Sequence, residues 1–570
     1  MKIRRAAGRQ SSELSTFPDW LRVVAEVTAR RADALPLASD SRRGVVLIVV
    51  LVLVMMVALA GFGFLSAMST EYEGARLNGS MRQAQQTLAS AESTLLWFAA
   101  LTERERQLLG GSHHNPTLFR GHLLEPLKEP GTGTAPTPLS TTPLMEQPIS
   151  TDPAFVDDRW RFSVVSVDQT PEQNSVLRFG LQSESSKLNL STLIKWEQTS
   201  PGAGRTSLIQ LPGMTEAIAD AILDWLDADD QAREFGAETE YYQTLDRPYR
   251  AANAVPKQLS ELLFVKGVTR SLLMGISPGS DTTNQSSQAL TPSIDANGDL
   301  ASNPMATIGA GWIQHLTVHS TERNRTSPGQ PRISLNSTGL AELEQQLTAV
   351  LPENLVRYIL LARVYGLTLS AELPSGADPS AAPYASSMVA AFPIASSADL
   401  INSSIQVSSA TGPIVVQSPL QSSGPEFATL AAGLFDLTTV NSESVIYGRV
   451  NLQTAPEIVL RMIPGLTPEL VTQIITQRAT LEDAETGTVA WLLSRNVLDP
   501  ALFRRVFPEL TMGGDVFQCD VLVHRAIGGP MLRRNLILDA ASTPPRRLYW
   551  AELTDSPLPY SQELLLPRVR

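Results

Sequence analysis

The sequence predicts an α+β chain with one long N-terminal helix, strands in two places far apart along the chain, and helical hairpins between them. Three observations carry that reading. A 24-residue run without charge, Val45 to Met68, passes directly into a helical stripe. Alternating apolar positions occur around Phe162 to Val167 and Leu177 to Leu181, and again in three segments after Asp515. Between these lie two copies of a Pro-Gly turn that opens a helix-period pattern.

The apolar run is longer than the core of a secretory signal and long enough to cross the roughly 30 Å hydrocarbon layer as a helix. Arg42 and Arg43 precede it, and Glu71 and Glu73 follow. The positive-inside bias then leaves the short N-terminus in the cytoplasm and the bulk of the chain outside. Past the run, Leu77, Met81, Ala84, Leu88, Ala91, Leu95 and Phe98 recur at spacings of four and three, which is one apolar stripe of an amphipathic helix. A helix from Val45 to about Leu101 would be roughly 85 Å long at 1.5 Å per residue. Gly74 and Gly79 each cost about 1 kcal/mol in a helix interior and read as the place for a bend.

Composition limits the function. The 570 residues leave room for several domains, and the net charge of -12 argues against a nucleic-acid-binding protein. The single cysteine, Cys519, excludes an internal disulfide framework and a cysteine-ligated metal cluster. It reads as a small buried hydrophobe in a strand. His113 and His114, followed by Asn115-Pro116, read as an exposed loop pair. There is no H-E-x-x-H and no phosphate-loop glycine motif, and the chain is read as a non-enzyme.

Two segments rich in Pro, Ser, Thr and Gly read as linkers or long loops: "EPGTGTAPTPLSTTPLMEQPISTDP" and "SPGSDTTNQSSQALTPSIDANGDLASNP". A third, from about Leu369 to Glu426, is Ser/Ala-rich with apolar islands and is expected to hold little packed structure. "WRFSVVSVDQTPEQNSVLRFGLQSESSKLNLSTL" suggests two strands joined by a turn. "DVFQCDVLVHRAI", "MLRRNLILDA" and "RRLYWAEL" read as further strands, with Gly528-Gly529-Pro530 turning between the first two.

The repeat pairs "KLNLSTL" and "LPGMTEAIADAILDW" with "RVNLQTA" and "IPGLTPELVTQIITQR", 262 positions on when counted from Asn189 to Asn451. Gly213 and Gly465 supply the positive φ a tight turn needs, and Thr215 and Thr467 are candidate helix caps. In "LLFVKGVTRSLL", Gly267 has the same role and could complete a helix-hairpin-helix unit with the first copy. Such hairpins can hold a phosphate on backbone N–H groups, so a membrane-anchored DNA-binding protein is an alternative reading. Glu216, Asp220 and Asp224 beside the first turn oppose it, because DNA binding depends on Lys and Arg.

A basic leader ending in glycine, followed by an apolar helix that runs on as an amphipathic one, resembles the N-terminus of type IV pilins and type II secretion pseudopilins. That resemblance implies prepilin peptidase cleavage after Gly44, leaving Val45 as the new N-terminus. The leader is long for the family. The fifth mature residue is Val49 where the family usually has the glutamate that pairs with a neighbour's amine. Within type II secretion that substitution resembles general secretion pathway protein K, and some type IV pilus minor pilins share it. "GLQSESSKLNLSTL", "LPGMTEAIADAILDWLDADD", "GAETEYY", "LDRPYRAANAVPKQLSELLFVKGVT" and "VNLQTAPEIVLRMIPGLTPELVTQIITQR" also look like the protein K family.

The resemblance implies a long pilin-type helix packed on an antiparallel sheet, with an all-α domain inserted between the strands. It also implies a place at the tip of the secretion pseudopilus, minor pseudopilins I and J and other pseudopilins as partners, and an inner-membrane assembly platform. No nucleic acid is expected. The resulting boundaries are a leader at 1–44, the pilin-type helix at 45–108, a linker at 109–158 and sheet strands at 159–195. They continue with a first hairpin domain at 196–276, a low-complexity insertion at 277–443, a second hairpin domain at 444–510 and C-terminal strands at 511–570.

One stretch suggests a cofactor. "DWLDADDQAREFGAETEYY" holds seven acids, Asp224 to Glu240, against Arg233 alone, so something must offset their repulsion if it folds compactly. Calcium takes six to eight oxygens from carboxylates and carbonyls. Counting Asp227 as one, Asp229 falls at three, Gln231 at five and Glu238 at twelve, as in an EF-hand loop. Ala232 stands where that loop needs glycine, so a different loop path is expected. Asp227, Asp229, Asp230 and Glu238 are the candidate ligands, and the resemblance also implies calcium in this domain.

Overall fold

The computed structural model describes residues 42–123, 159–170, 173–275, 311–369, 376–409, 412–482, 485–526, 528–554 and 562–566. The leader before Arg42, the whole of the first Pro/Thr-rich segment and residues 276–310 lie outside these. Two units separate, one up to Ser80 and one from Met81 onward.

Helix α1 runs without interruption from Arg42 to Ala100. It passes through Gly74 and Gly79 as regular helix, and a Cβ at either would meet nothing. Its N-terminal part contains an 18-residue window of mean hydropathy 3.0 with no buried residue. By length and composition it can cross a membrane. Of the predicted stripe, Ala84, Leu88, Ala91, Leu95 and Phe98 are fully buried, whereas Leu77 and Met81 are exposed.

The buried part of the stripe packs on a sheet built from β1 (Trp160–Thr170), β2 (Gln173–Phe179), β3 (Val516–Arg525), β4 (Leu532–Asp539) and β5 (Arg546–Glu552). Its spatial order is His122–Leu123, β1, β3, β4, β5, with β2 added on β1 and Gln182–Ser183 on β3, all pairs antiparallel. Phe162, Val164, Val521, Val523, Leu536 and Leu538 meet the helix in one apolar core. This is the helix-on-antiparallel-sheet architecture expected above. Cys519 is buried in β3 as read from the sequence.

Between β2 and β3 the chain forms a second core, separate from the first. Two two-residue parallel pairings lie at its two ends, Leu188–Asn189 with Leu316–Thr317 and Val450–Asn451 with Leu510–Thr511. Each ends on an asparagine whose side chain accepts a backbone N–H two residues on, Ser191 and Gln453 respectively. The repeat seen in sequence is thus also a structural one.

The insertion corrects the expectation of little packed structure. Helices Leu340–Thr348, Glu353–Tyr365 and Phe427–Leu437 and the hairpin of Ser404–Ser409 with Gly412–Gln417 belong to the same core. The apolar islands Leu400, Ile405, Val407, Val416 and Leu420 are fully buried. Serines fill the gaps because their hydroxyls are satisfied inside. The Tyr358 hydroxyl meets Ser403 Oγ at 2.8 Å, and Ser403 Oγ donates to the Leu400 carbonyl at 3.1 Å.

Candidate metal centre

The three turn glycines are built alike. Gly213, Gly267 and Gly465 have φ of 70°, 81° and 101°, and each is followed two residues later by a threonine that caps the next helix: Thr215, Thr269 and Thr467 accept from the backbone N–H of Ile218, Leu272 and Leu470. Helices α2 (Ala203–Leu208) and α3 (Glu216–Leu226) flank the first turn, and Leu259–Phe264 and α4 (Arg270–Met274) flank the second. The turns pack reciprocally. A Cβ on Gly213 would strike Leu272 at 2.7 Å, and one on Gly267 would strike Ile218 at 2.9 Å. Each glycine thus receives the third residue past the other turn's cap, so these turn faces are occupied by packing.

The acidic stretch leaves this pair at the end of α3. Asp227 is the C-cap, and the chain runs without helix or strand until Glu238 precedes the short helix Thr239–Gln243. Asp220 and Asp224, read from sequence as acids that would face a phosphate chain, are instead completely buried. Arg205 grips Asp220 with two bonds of 2.7 Å, and Asp220 also accepts from Phe235 N–H. Asp224 accepts from the Arg233 guanidinium at 2.6 Å and from Ala237 N–H at 2.8 Å. A Cβ on Gly236 would lie 1.8 Å from the Asp224 carboxylate, so only glycine fits there. These anchors were invisible in the sequence because Arg205 and the 233–237 backbone reach the two acids only through the fold.

Held this way, the loop brings Asp227, Asp229 and Glu238 together, with one oxygen of each within 4.8 Å of the others. Asp230 lies outside that trio, where its carboxylate faces Asn253. Asp227 Oδ2 accepts from the Arg233 guanidinium at 2.6 Å, while its Oδ1 is buried and receives no hydrogen bond from any described residue. Both Glu238 oxygens are likewise buried and unpartnered, as is Asn253 Oδ1. Asn253, at positive φ, donates its amide to the Asp229 carbonyl and was not singled out in the sequence. Burial first, then the charges of Asp224, Asp227, Asp230 and Asp229, push the Glu238 carboxyl up to about 8. Burial also raises Asp227, opposed by Arg233.

Buried carboxylate oxygens that converge with no donor are what a cation would satisfy. The donors are all oxygen, which suits a hard ion such as calcium. The residues present therefore fit the group, with Asp227, Asp229 and Glu238 to hold it.

This loop lies within residues 186–279, which match the family model described as type II secretion system (T2SS), protein K. That part of the chain is similar to protein K of type II secretion. A type II secretion system protein K from Pectobacterium carotovorum subsp. carotovorum is 40% identical over 63 residues, 11% of this chain and 19% of that relative. The matched stretch thus spans about a fifth of the relative's length. The crystal structure of the GspK-GspI-GspJ complex from the enterotoxigenic Escherichia coli type 2 secretion system overlays on 84% of this chain and 98% of the solved one, at 11% identity. Its TM-score of 0.34 is too loose to argue from.

At the end of the matched stretch, Gly275-Ile276-Ser277-Pro278-Gly279 carries the letters of a nucleophile elbow. Gly275 is the C-cap of α4, whereas an elbow needs a strand ahead of its turn; the remaining four residues lie outside the described ones.

Proposed function

We propose that the chain is a minor pseudopilin of type II secretion, anchored in the inner membrane by α1 with its N-terminus cytoplasmic and its head in the periplasm. The observation that carries this is the joining, on one chain, of a protein K domain to an apolar helix of spanning length whose continuation packs on an antiparallel sheet. Prepilin peptidase would cut after Gly44. The apolar face of the mature helix, Leu77 and Met81 included, would then pack on other pilin helices.

Val49 has no charge to offer a preceding subunit's amine, which suits the end of a fibre, where assembly begins. Minor pseudopilins I and J, the partners that the resemblance to protein K implies, are proposed as partners here. Work on the fibre is mechanical and is powered elsewhere, through the assembly platform. Calcium bound by Asp227, Asp229 and Glu238 would lock the acidic loop and set the shape of the head that stands at the tip.

Mass spectrometry of the membrane-extracted protein tests the reading. A chain starting at Val45 is expected, and recovery of only the 570-residue form in cells with active prepilin peptidase would remove it. Immunogold labelling should place few copies, at fibre ends. Label distributed along the shaft defeats the tip assignment and leaves the pseudopilin one standing.

A further inference from the structure

Separate stretches of the chain meet at a small pocket away from the acidic loop. Gln182 and Ser186 reach it from beside the sheet, Gln314 and His315 from the insertion, and Thr454 from the segment ahead of Glu457–Arg461. The pocket encloses about 20 Å³, and one water needs roughly 10–15 Å³ measured in this way. His315 is 2% exposed. Neither of its ring nitrogens has a hydrogen-bond partner among the described residues, and the same holds for the buried Thr454 Oγ1.

A neutral imidazole presents one N–H donor and one bare acceptor nitrogen, whichever tautomer it takes. Ionisation does not relieve this. Burial first, and then the Lys187 ammonium, push the His315 ring down to about 4. Lys187 itself is committed to Glu184 and Gln518 at 2.8 and 2.6 Å. The other charged or titratable groups facing the pocket are Arg178 and His113, which contact each other. An occupant must therefore be of single-atom size and able to bond both a ring nitrogen and a hydroxyl.

We propose that this pocket is a built site for one long-lived water molecule, held by the His315 ring and the Thr454 hydroxyl, which ties the insertion to the second hairpin domain. A halide would have to accept from both the ring N–H and the hydroxyl, whereas water can donate to the bare nitrogen of the other tautomer as well, and a bromide soak separates the two. A side chain fits neither requirement.

The test uses the detergent-extracted mature chain. A crystal structure that orders solvent should show one density peak within hydrogen-bond reach of a His315 nitrogen and of Thr454 Oγ1. A dry pocket, or a peak that becomes anomalous after a bromide soak, overturns the proposal. In solution, magnetic relaxation dispersion of ¹⁷O water should lose the contribution of one long-lived molecule in Thr454→Val, which keeps the side-chain shape. An unchanged dispersion in that folded variant also overturns it. Nitrogen-15 shifts of His315, assigned by His315→Gln, should report a neutral ring from pH 8 down to about 5, and titration near 6.5 would show that the pocket is open to bulk solvent.

Discussion

The two hairpin pairs of this chain are built on one plan and closed by different means. In the second pair, α5 (Glu457–Arg461) and α6 (Pro468–Arg478) turn at Gly465, and α7 (Trp491–Ser494) and α8 (Pro500–Val506) turn at Asn496, itself at positive φ. A Cβ on Gly465 would meet Leu502 at 3.1 Å, the third residue past the Asp499 cap, which repeats the packing of Gly213 on Leu272. The links between the hairpins differ. In the second pair, residues 479–482 and 485–490 are drawn in by Arg495, which bonds Glu485 and reaches Gln477 Oε1 at 3.0 Å and Thr480 Oγ1 at 2.9 Å. In the first, residues 227–258 have Arg233 for Asp224 and Asp227, and among the described residues Asp229 and Glu238 have no ion pair. A covalently attached guanidinium closes one link permanently, whereas an ion can close the other only while it is available.

The largest effect is expected from the seat of Asp224. Gly236→Ala drives a methyl into that carboxylate and should cost on the order of 3–5 kcal/mol in chemical denaturation, with or without calcium. Gly487→Ala, in the second link where a Cβ meets nothing, should be near neutral. Equal effects of the two would break the comparison.

Next comes the ion. A metal that binds only the folded state adds about 2.7 kcal/mol at a hundredfold excess over Kd, so chelation should lower the melting temperature by several degrees. The double variant Asp229→Ala with Glu238→Ala should abolish that difference. Hydrogen exchange on chelation should quicken in 227–258 and stay unchanged in 479–490, and no shift in a verified calcium-loaded sample would sink the metal assignment.

Smaller is Arg495→Met. The pair with Glu485 is partly exposed and screened by solvent, so the denaturation midpoint should fall only slightly. Calcium should not restore it; restoration would mean that the second link also takes an ion. Smallest and equal in both pairs are the caps. Thr215→Ala and Thr467→Ala should each cost about 1 kcal/mol, and a clear inequality would show that the two turns are not equivalent.

How much of this was legible beforehand depended on the range of the interactions. The long helix, the terminal strands and the glycine turns follow from local spacing and were read correctly. The acids of the 227–238 loop were legible as charge density, and Asp227, Asp229 and Glu238 do converge, while Asp230 lies outside that trio. Asp224 and Asp220 look the same as their neighbours in sequence, yet they are the buried anchors, because Arg205 and Gly236 reach them only in the folded chain. The insertion was misjudged for a related reason. Its apolar residues are few between Leu369 and Glu426 and stand among serines and alanines, and its serines are polar in composition but satisfied inside.

One feature of the sheet bears on how the molecule is made. Strands β1 and β3 are neighbours at its centre, yet Ser163 and His524, which meet across them at 3.0 Å, are 361 residues apart. Loop closure over such a distance is entropically slow, and contact order sets folding rate. A chain emerging N-terminus first exposes the β1–β2 hairpin long before β3 exists to cover it. The inserted core therefore has to collapse first, shortening the effective loop, and refolding of the head should show the helical core forming ahead of the sheet.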